Sequence, residues 1–257
     1  MDTVAFTVQE TLSVVLVFAL AASIQGYSGF GFGIVAMSLL SFLTQDMADM
    51  YIVVNISALA VIVVGLFLSR LGSDIDWLKA GLLLTGIVIG QPAGYWFVRT
   101  FGDHPAFRVL LGLVLLYYAV QSIVSPSIRR RVHKAVAVGI GTVSGLIGGA
   151  FASGGPPLVM YLYSQVDDPR DMKATIQSVF VITLLYRLTL IGLAGDYSTA
   201  VLRLALYAVP PVIPLVVAGH ALSKRISARR FRQYVYGLIA LSGVSVLAKG
   251  MWAWLSS

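Results

Sequence analysis

Apolar runs of membrane-spanning length recur along this chain, and they constrain its fold more than any other feature. Residues 52–68, 77–98, 107–124, 175–193, 201–222 and 234–255 form six predominantly apolar runs of 17 to 22 residues. A helix rises 1.5 Å per residue, so about 17 to 25 apolar residues cross the roughly 30 Å hydrocarbon layer of a bilayer. Charged side chains make up only 11% of the 257 residues, against about 25% in a soluble domain. The runs repeat too often for a secretory signal, and no small-residue cleavage site follows the first of them. The sequence predicts an all-α polytopic membrane protein.

Several chemistries drop out. The chain has no cysteine, which removes disulfides, thiolate metal sites and cysteine nucleophiles. His104, His133 and His220 lie far apart near predicted membrane edges and read as interfacial residues. No HExxH, P-loop or nucleophile-elbow pattern occurs. No enzyme activity, metal or cofactor is therefore expected. The net charge of +7 sits in short loops between apolar runs, which is how cytoplasmic loops look under the positive-inside rule. No nucleic-acid partner is expected.

The chain also matches itself. Gly26, Gly29 and Phe32 pair with Gly145, Gly148 and Phe151. Asp49, Met50 and Asn55 pair with Asp171, Met172 and Gln177, and Gly94 and Arg99 with Gly219 and Lys224. Phe107, Arg108, Gly112 and Leu113 pair with Phe231, Arg232, Gly237 and Leu238. The shared order and near-constant offset of 119 to 125 residues predict two membrane repeats in one integrated domain, 1–125 and 126–257.

Each repeat begins with an apolar segment broken in its middle. Residues 12–24 and 34–43 flank Gln-Gly-Tyr-Ser-Gly-Phe-Gly-Phe-Gly at 25–33, and residues 135–147 and 158–163 flank a Gly- and Pro-rich stretch at 148–157. Pieces of at most about 20 Å cover roughly half a membrane and not a whole one, so each segment is a kinked crossing or a re-entrant hairpin. Loop charge favours the hairpin. Arg129, Arg130, Arg131 and Lys134 form one basic link, and Lys224, Arg225, Arg229, Arg230 and Arg232 another. Both should face the cytoplasm, as should Arg170 and Lys173. The loops with Asp46, Asp49 and Asp196 then face outward, as do both termini. Each half becomes one hairpin plus three full spans, an odd number, so the halves are expected as inverted repeats.

Unpaired backbone at membrane depth persists only where protein, water or a ligand satisfies it. Ser153, Gly154, Gly155 and Pro156 form a helix-start signal. By the repeat, a second helix starts near Gly31 to Gly33. Two helix N-termini with exposed glycine amides suit an anion. The expected anion-site residues are Gln25, Tyr27, Ser28, Gly29, Phe30, Gly31 and Gly33 at the first break, and Gly149, Ser153, Gly154 and Gly155 at the second. Asn55 and Gln177, equivalent positions early in their spans, are expected to hydrogen-bond the hairpins or the ligand. Arg187 is the clearest mid-span charge, and it either serves the anion path or snorkels to the surface. Spacing such as Gly90 to Gly94 reads as helix packing.

At residues 25–33 and at Ser-Gly-Leu-Ile-Gly-Gly-Ala-Phe-Ala-Ser-Gly-Gly-Pro-Pro, residues 144–157, the chain resembles the TauE/SafE (TSUP) family. The resemblance covers nearly the whole chain, including its length and repeat. It implies a secondary transporter that exports sulfite, sulfoacetate or related organosulfonates across a bacterial cytoplasmic (inner) membrane. The family is often described with seven or eight full spans, so re-entrant hairpins depart from it. The implied partners are a small anion and membrane lipid, with a homodimer left open. The alternative is a membrane-embedded enzyme or an anchoring subunit of a larger complex. An enzyme would need a reactive pair or metal cluster at membrane depth.

Overall fold

The structure, a computed structural model, describes residues 8–44, 46–68, 75–124, 134–166, 168–222 and 228–255, and every regular element in them is a helix. The basic stretches around residues 129–131 and 224–225 lie outside the described residues. The helices are α1 (Val8–Ser28), α2 (Phe32–Leu43), α3 (Met47–Leu68), α4 (Trp77–Phe101), α5 (Pro105–Val124), α6 (Lys134–Phe151), α7 (Gly155–Gln165), α8 (Pro169–Leu193), α9 (Thr199–Leu222) and α10 (Ala228–Leu255). Among the described residues α1, α3, α4, α8 and α9 are long and apolar enough to cross a membrane. The apolar parts of α5, α6 and α10, and the whole of α2, are shorter.

Both expected breaks occur, and both are narrower than their composition suggests. Helix α1 runs to Ser28 and α2 begins at Phe32, while α6 runs to Phe151 and α7 begins at Gly155. The first arm is therefore a 21-residue helix, about 31 Å long, rather than half a membrane. Its partner α2 has 12 residues and covers only about 18 Å. The breaks come from left-handed backbone, which cannot continue a right-handed helix. Gly29 and Gly31 have φ of 84° and 106°, and Ala152 has φ of 53°. For alanine that conformation costs about 1–2 kcal/mol, so the packing around α6 must hold it in place. Helix α2 turns back onto α1, placing the Phe32 ring 5.3 Å from that of Phe18.

The helix surfaces invert the soluble rule. Leu12, Leu16 and Leu20 form an exposed stripe on α1, and Val88, Ile89 and Trp96 are exposed on α4. Exposed apolar bands of this kind are what a lipid-facing helix presents. The interior is built on α3, where Tyr51, Val53, Val54, Asn55 and Val61 are buried against α8 and α9.

Glycines set how closely the helices approach. Gly86, Gly90 and Gly94 on α4 face Gly141, Gly145 and Gly149 on α6, and a Cβ on any of the six would strike the other helix's backbone. Four-residue spacing keeps each set on one helix face. A smaller version joins α1 to α9, with Gly26 against the Val216 carbonyl and Gly219 against that of Ser23. Gly26, expected within the first break, is thus a helix-packing glycine.

Candidate functional site

The two breaks meet at one cavity. Gln25, Gly31, Phe32 and Gly33 line it from the first, and Ala152, Ser153, Gly154 and Gly155 from the second. Phe180, Thr183, Leu184 and Arg187 on α8 complete its polar and apolar walls with Ala58, Ile62, Ile87 and Ser144. It has about 60 Å³ of room for water-sized molecules, enough for roughly four to six waters. That is the scale of a small oxyanion.

Different contacts shape each rim. At the first break the Gln25 amide donates to the Gly29 carbonyl at 3.1 Å and accepts from the Phe32 amide at 2.9 Å. One side chain thereby ties the end of α1 to the first turn of α2. At the second break the Ser144 hydroxyl bonds the Gly154 carbonyl, and the Tyr118 hydroxyl donates to the Ser153 carbonyl at 3.1 Å. Pro156 and Pro157 occupy the first turn of α7, where a missing amide leaves no donor unpaired. Neither N-cap, Gly31 nor Gly154, supplies a side-chain hydrogen bond. Both positive helix ends point at the cavity, and Gln25 Oε1 on the Phe32 amide is the one side-chain oxygen seen at either first turn among the described residues.

Arg187 dominates the electrostatics. It is 5% exposed, which rules out snorkelling to the membrane surface. Its Nη1 donates to Asn55 Oδ1 at 2.8 Å. Asn55 is held in turn by its own Nδ2, which donates to the Tyr51 carbonyl at 2.6 Å, and the acceptor is left facing the arginine. Gly148 makes room beside it, since a Cβ there would stand 2.5 Å from Nη2. Among the described residues no carboxylate pairs with Arg187, and its Nε has no hydrogen-bond partner. The buried hydroxyls of Ser153 and Thr183 are also unpartnered. A buried cation without a counter-ion costs several kcal/mol, and each unmet hydroxyl about 1–3 kcal/mol. Together they define a site that an anion would satisfy.

Other expected site residues lie elsewhere. Ser28 turns its hydroxyl inward to the Ile24 and Phe30 carbonyls, at 2.8 and 2.5 Å. Neither Tyr27 nor Ser28 lines the cavity, and Phe30 packs against the apolar cluster of α7 and α8. Gly149 is a seam glycine pressed on the Gln91 carbonyl. Gly29 and Gln177 line a separate, smaller cavity with Lys173 and His220. Asn55 reaches the main cavity only through Arg187. Thr183 and Ser144 line it and were missed by motif reading. Thr183 sits one turn before Arg187, so helical spacing from the charged residue would have found it.

Known proteins narrow the chemistry. A model of the family described as sulfite exporter TauE/SafE matches residues 14–246. The chain belongs to the TauE/SafE family. One relative, "Probable sulfite/organosulfonate exporter TauE" of Cupriavidus necator, is 26% identical over 235 residues, covering 90% of this chain and 91% of that protein. No solved structure matches. Membership in an exporter family, together with five helices among the described residues that are long and apolar enough to cross a membrane, makes this TauE/SafE protein an integral protein of the bacterial inner membrane.

Proposed function

We propose that this TauE/SafE protein exports a small sulfur oxyanion or organosulfonate through the cavity between the two helix breaks. The observation that carries the reading is Arg187, buried, unpaired with any carboxylate among the described residues, and flanked by the free hydroxyls of Ser153 and Thr183. A planar guanidinium holds two oxygens of a sulfite or sulfonate at once. The helix ends at Gly31 and Gly154 add partial positive charge from two sides. A negative-inside potential drives an anion outward by about 2.3 kcal/mol per charge per 100 mV.

The scaffold for this work is a pair of inverted repeats, 1–125 and 126–257. Exchange of helix partners supports it: α4 packs on α6 as α9 packs on α1. So does the backbone, because Gly29 and Ala152, 123 residues apart, both take positive φ at their breaks. Gly26 and Gly149 share that spacing and press on Val216 and Gln91 carbonyls of α9 and α4. This register runs one helical turn later than the pairing of Gly26 with Gly145 suggested by the motifs. In the inverted arrangement both termini and Asp196 face outward, the Lys173 end of α8 faces the cytoplasm, and the exposed leucines contact lipid.

Flux of labelled sulfite and sulfoacetate in liposomes holding only this protein tests the function. Wild-type protein should carry at least one of them, and Arg187→Gln should reduce the rate on the order of a hundredfold. Arg187→Lys should fall between, because an ammonium lacks the planar fork. Absence of flux in wild type, or full flux in Arg187→Gln, would overturn the reading.

A further inference from the structure

Gln25 lines two cavities, and the second is built from the same kinds of parts as the first. It is bounded by Gly26 and Gly29 on and after α1, by Gly65 on α3, by Lys173 and Gln177 on α8, and by His220 on α9. Lys173 and Gln177 are one turn apart and share a helix face. Glycine makes room for both: a Cβ on Gly29 would come to 3.3 Å from Lys173 Cε, and one on Gly65 to 3.4 Å from Gln177 Nε2. Gln177 is 3% exposed, and its Nε2, the donor an anion would use, faces Gly65 in the wall of the cavity. Lys173 makes no ion pair among the described residues. A half-buried ammonium and a buried amide donor thus converge on one small space.

Position in the repeat sharpens the likeness. At the 122-residue spacing that relates Asn55 to Gln177, Gly65 corresponds to Arg187. At the first cavity a cation on α8 bonds an amide on α3. At the second, the amide is on α8, a glycine takes the arginine's place on α3, and the cation is supplied by Lys173 instead. Glycine in place of arginine leaves space that the lysine chain enters from the end of α8.

We propose that the Lys173–Gln177 cavity is a second station for the same class of small oxyanion, in series with the Arg187 cavity, with the Gln25 side chain as the partition between them. This rests on the anion-export reading above. In this conformation the cavity has only about 10 Å³ of free room, close to one water. The oxyanion therefore enters as the half-exposed lysine chain turns aside, and then accepts from the ammonium and from Gln177 Nε2. A transported anion does not dwell at one deep well; it moves between two weaker ones, each with a single cation.

Equilibrium binding of radiolabelled sulfite to the full chain in lipid nanodiscs tests this. Arg187→Gln should retain measurable binding, and adding Lys173→Gln should weaken it by roughly a further tenfold. In liposomes Lys173→Gln alone should raise the half-saturating sulfite concentration by about tenfold, and Lys173→Arg should restore it. A lysine needed only for folding would instead lower the amount of monodisperse protein and leave half-saturation unchanged. If Arg187→Gln binds no sulfite, or the double variant binds as the single one does, the second station is overturned while the first stands. If wild-type protein binds no sulfite, both readings fall.

Discussion

The two helix breaks face one cavity but are held there by different means. The first is tied by Gln25, which reaches α2, and by Ser28, which bonds the Phe30 carbonyl, and its outer helix α1 meets α9 through two glycines. Helix α9 itself carries Pro210, Pro211 and Pro214 within its length. The second is held by Ser144, Tyr118 and two prolines, and its outer helix α6 is locked to α4 by six glycines. The left-handed residue that ends the helix is glycine at the first and alanine at the second. The lesson is that the arrangement needs helix N-termini aimed inward, whatever ties them. The tighter seam accompanies the more strained backbone, as expected if strain persists only where its surroundings over-determine it.

The most decisive way to break this comparison is topological. Cysteines placed at Ser164 and Ser227 should react with an impermeant reagent from the same side of the membrane. Reaction from opposite sides would remove the inverted-repeat relation, and the two breaks would no longer be counterparts.

The next effect concerns the seams. Gly90→Val drives a branched side chain into the Thr142 backbone of α6, and overpacking against backbone costs about 1–3 kcal/mol or more. With net stabilities of only about 5–15 kcal/mol, the monodisperse fraction on size exclusion should fall sharply. Gly81→Val on the same helix meets nothing within 4 Å and should behave as wild type. Gly26→Val, in the two-glycine seam, should fall between them. Equal loss at Gly81 and Gly90 would mean that helix propensity, not interhelical distance, is being measured.

A smaller effect separates the two cation stations. Gly148→Ala puts a methyl 2.5 Å from Arg187 Nη2 and should displace the guanidinium, lowering flux by roughly tenfold with little change in melting temperature. Gly65→Ala, beside Gln177 at the second cavity, meets only an ordinary 3.4 Å contact and should keep flux within about twofold. Comparable losses in the two variants would show that helix packing, not guanidinium placement, sets the rate.

Much of this architecture was legible in the chain itself. The membrane class, the helices and the two breaks follow from apolar length and from glycine and proline, which act within a few residues of where they stand. Gly31, Gly33, Ser153, Gly154 and Gly155 could be placed at the cavity because the break and the helix start are local features. The same reasoning misjudged how far α1 extends, since Gly26 is compatible with a helix and only its packing on α9 shows that it belongs to one.

What tertiary structure decided was which way each helix faces. A helix that is apolar toward lipid and apolar toward its neighbours carries no polar stripe to mark its inner side. The sequence therefore left Arg187 divided between cavity and membrane surface, and packing against Asn55 and Gly148 resolved it. For the same reason Thr183 went unnoticed, and Asn55 and Gln177, matched in sequence, serve different cavities. By itself the sequence determined that this chain lives in a membrane and where its helices break. Only the rotation of α3 and α8 against one another determined which polar side chains share a space.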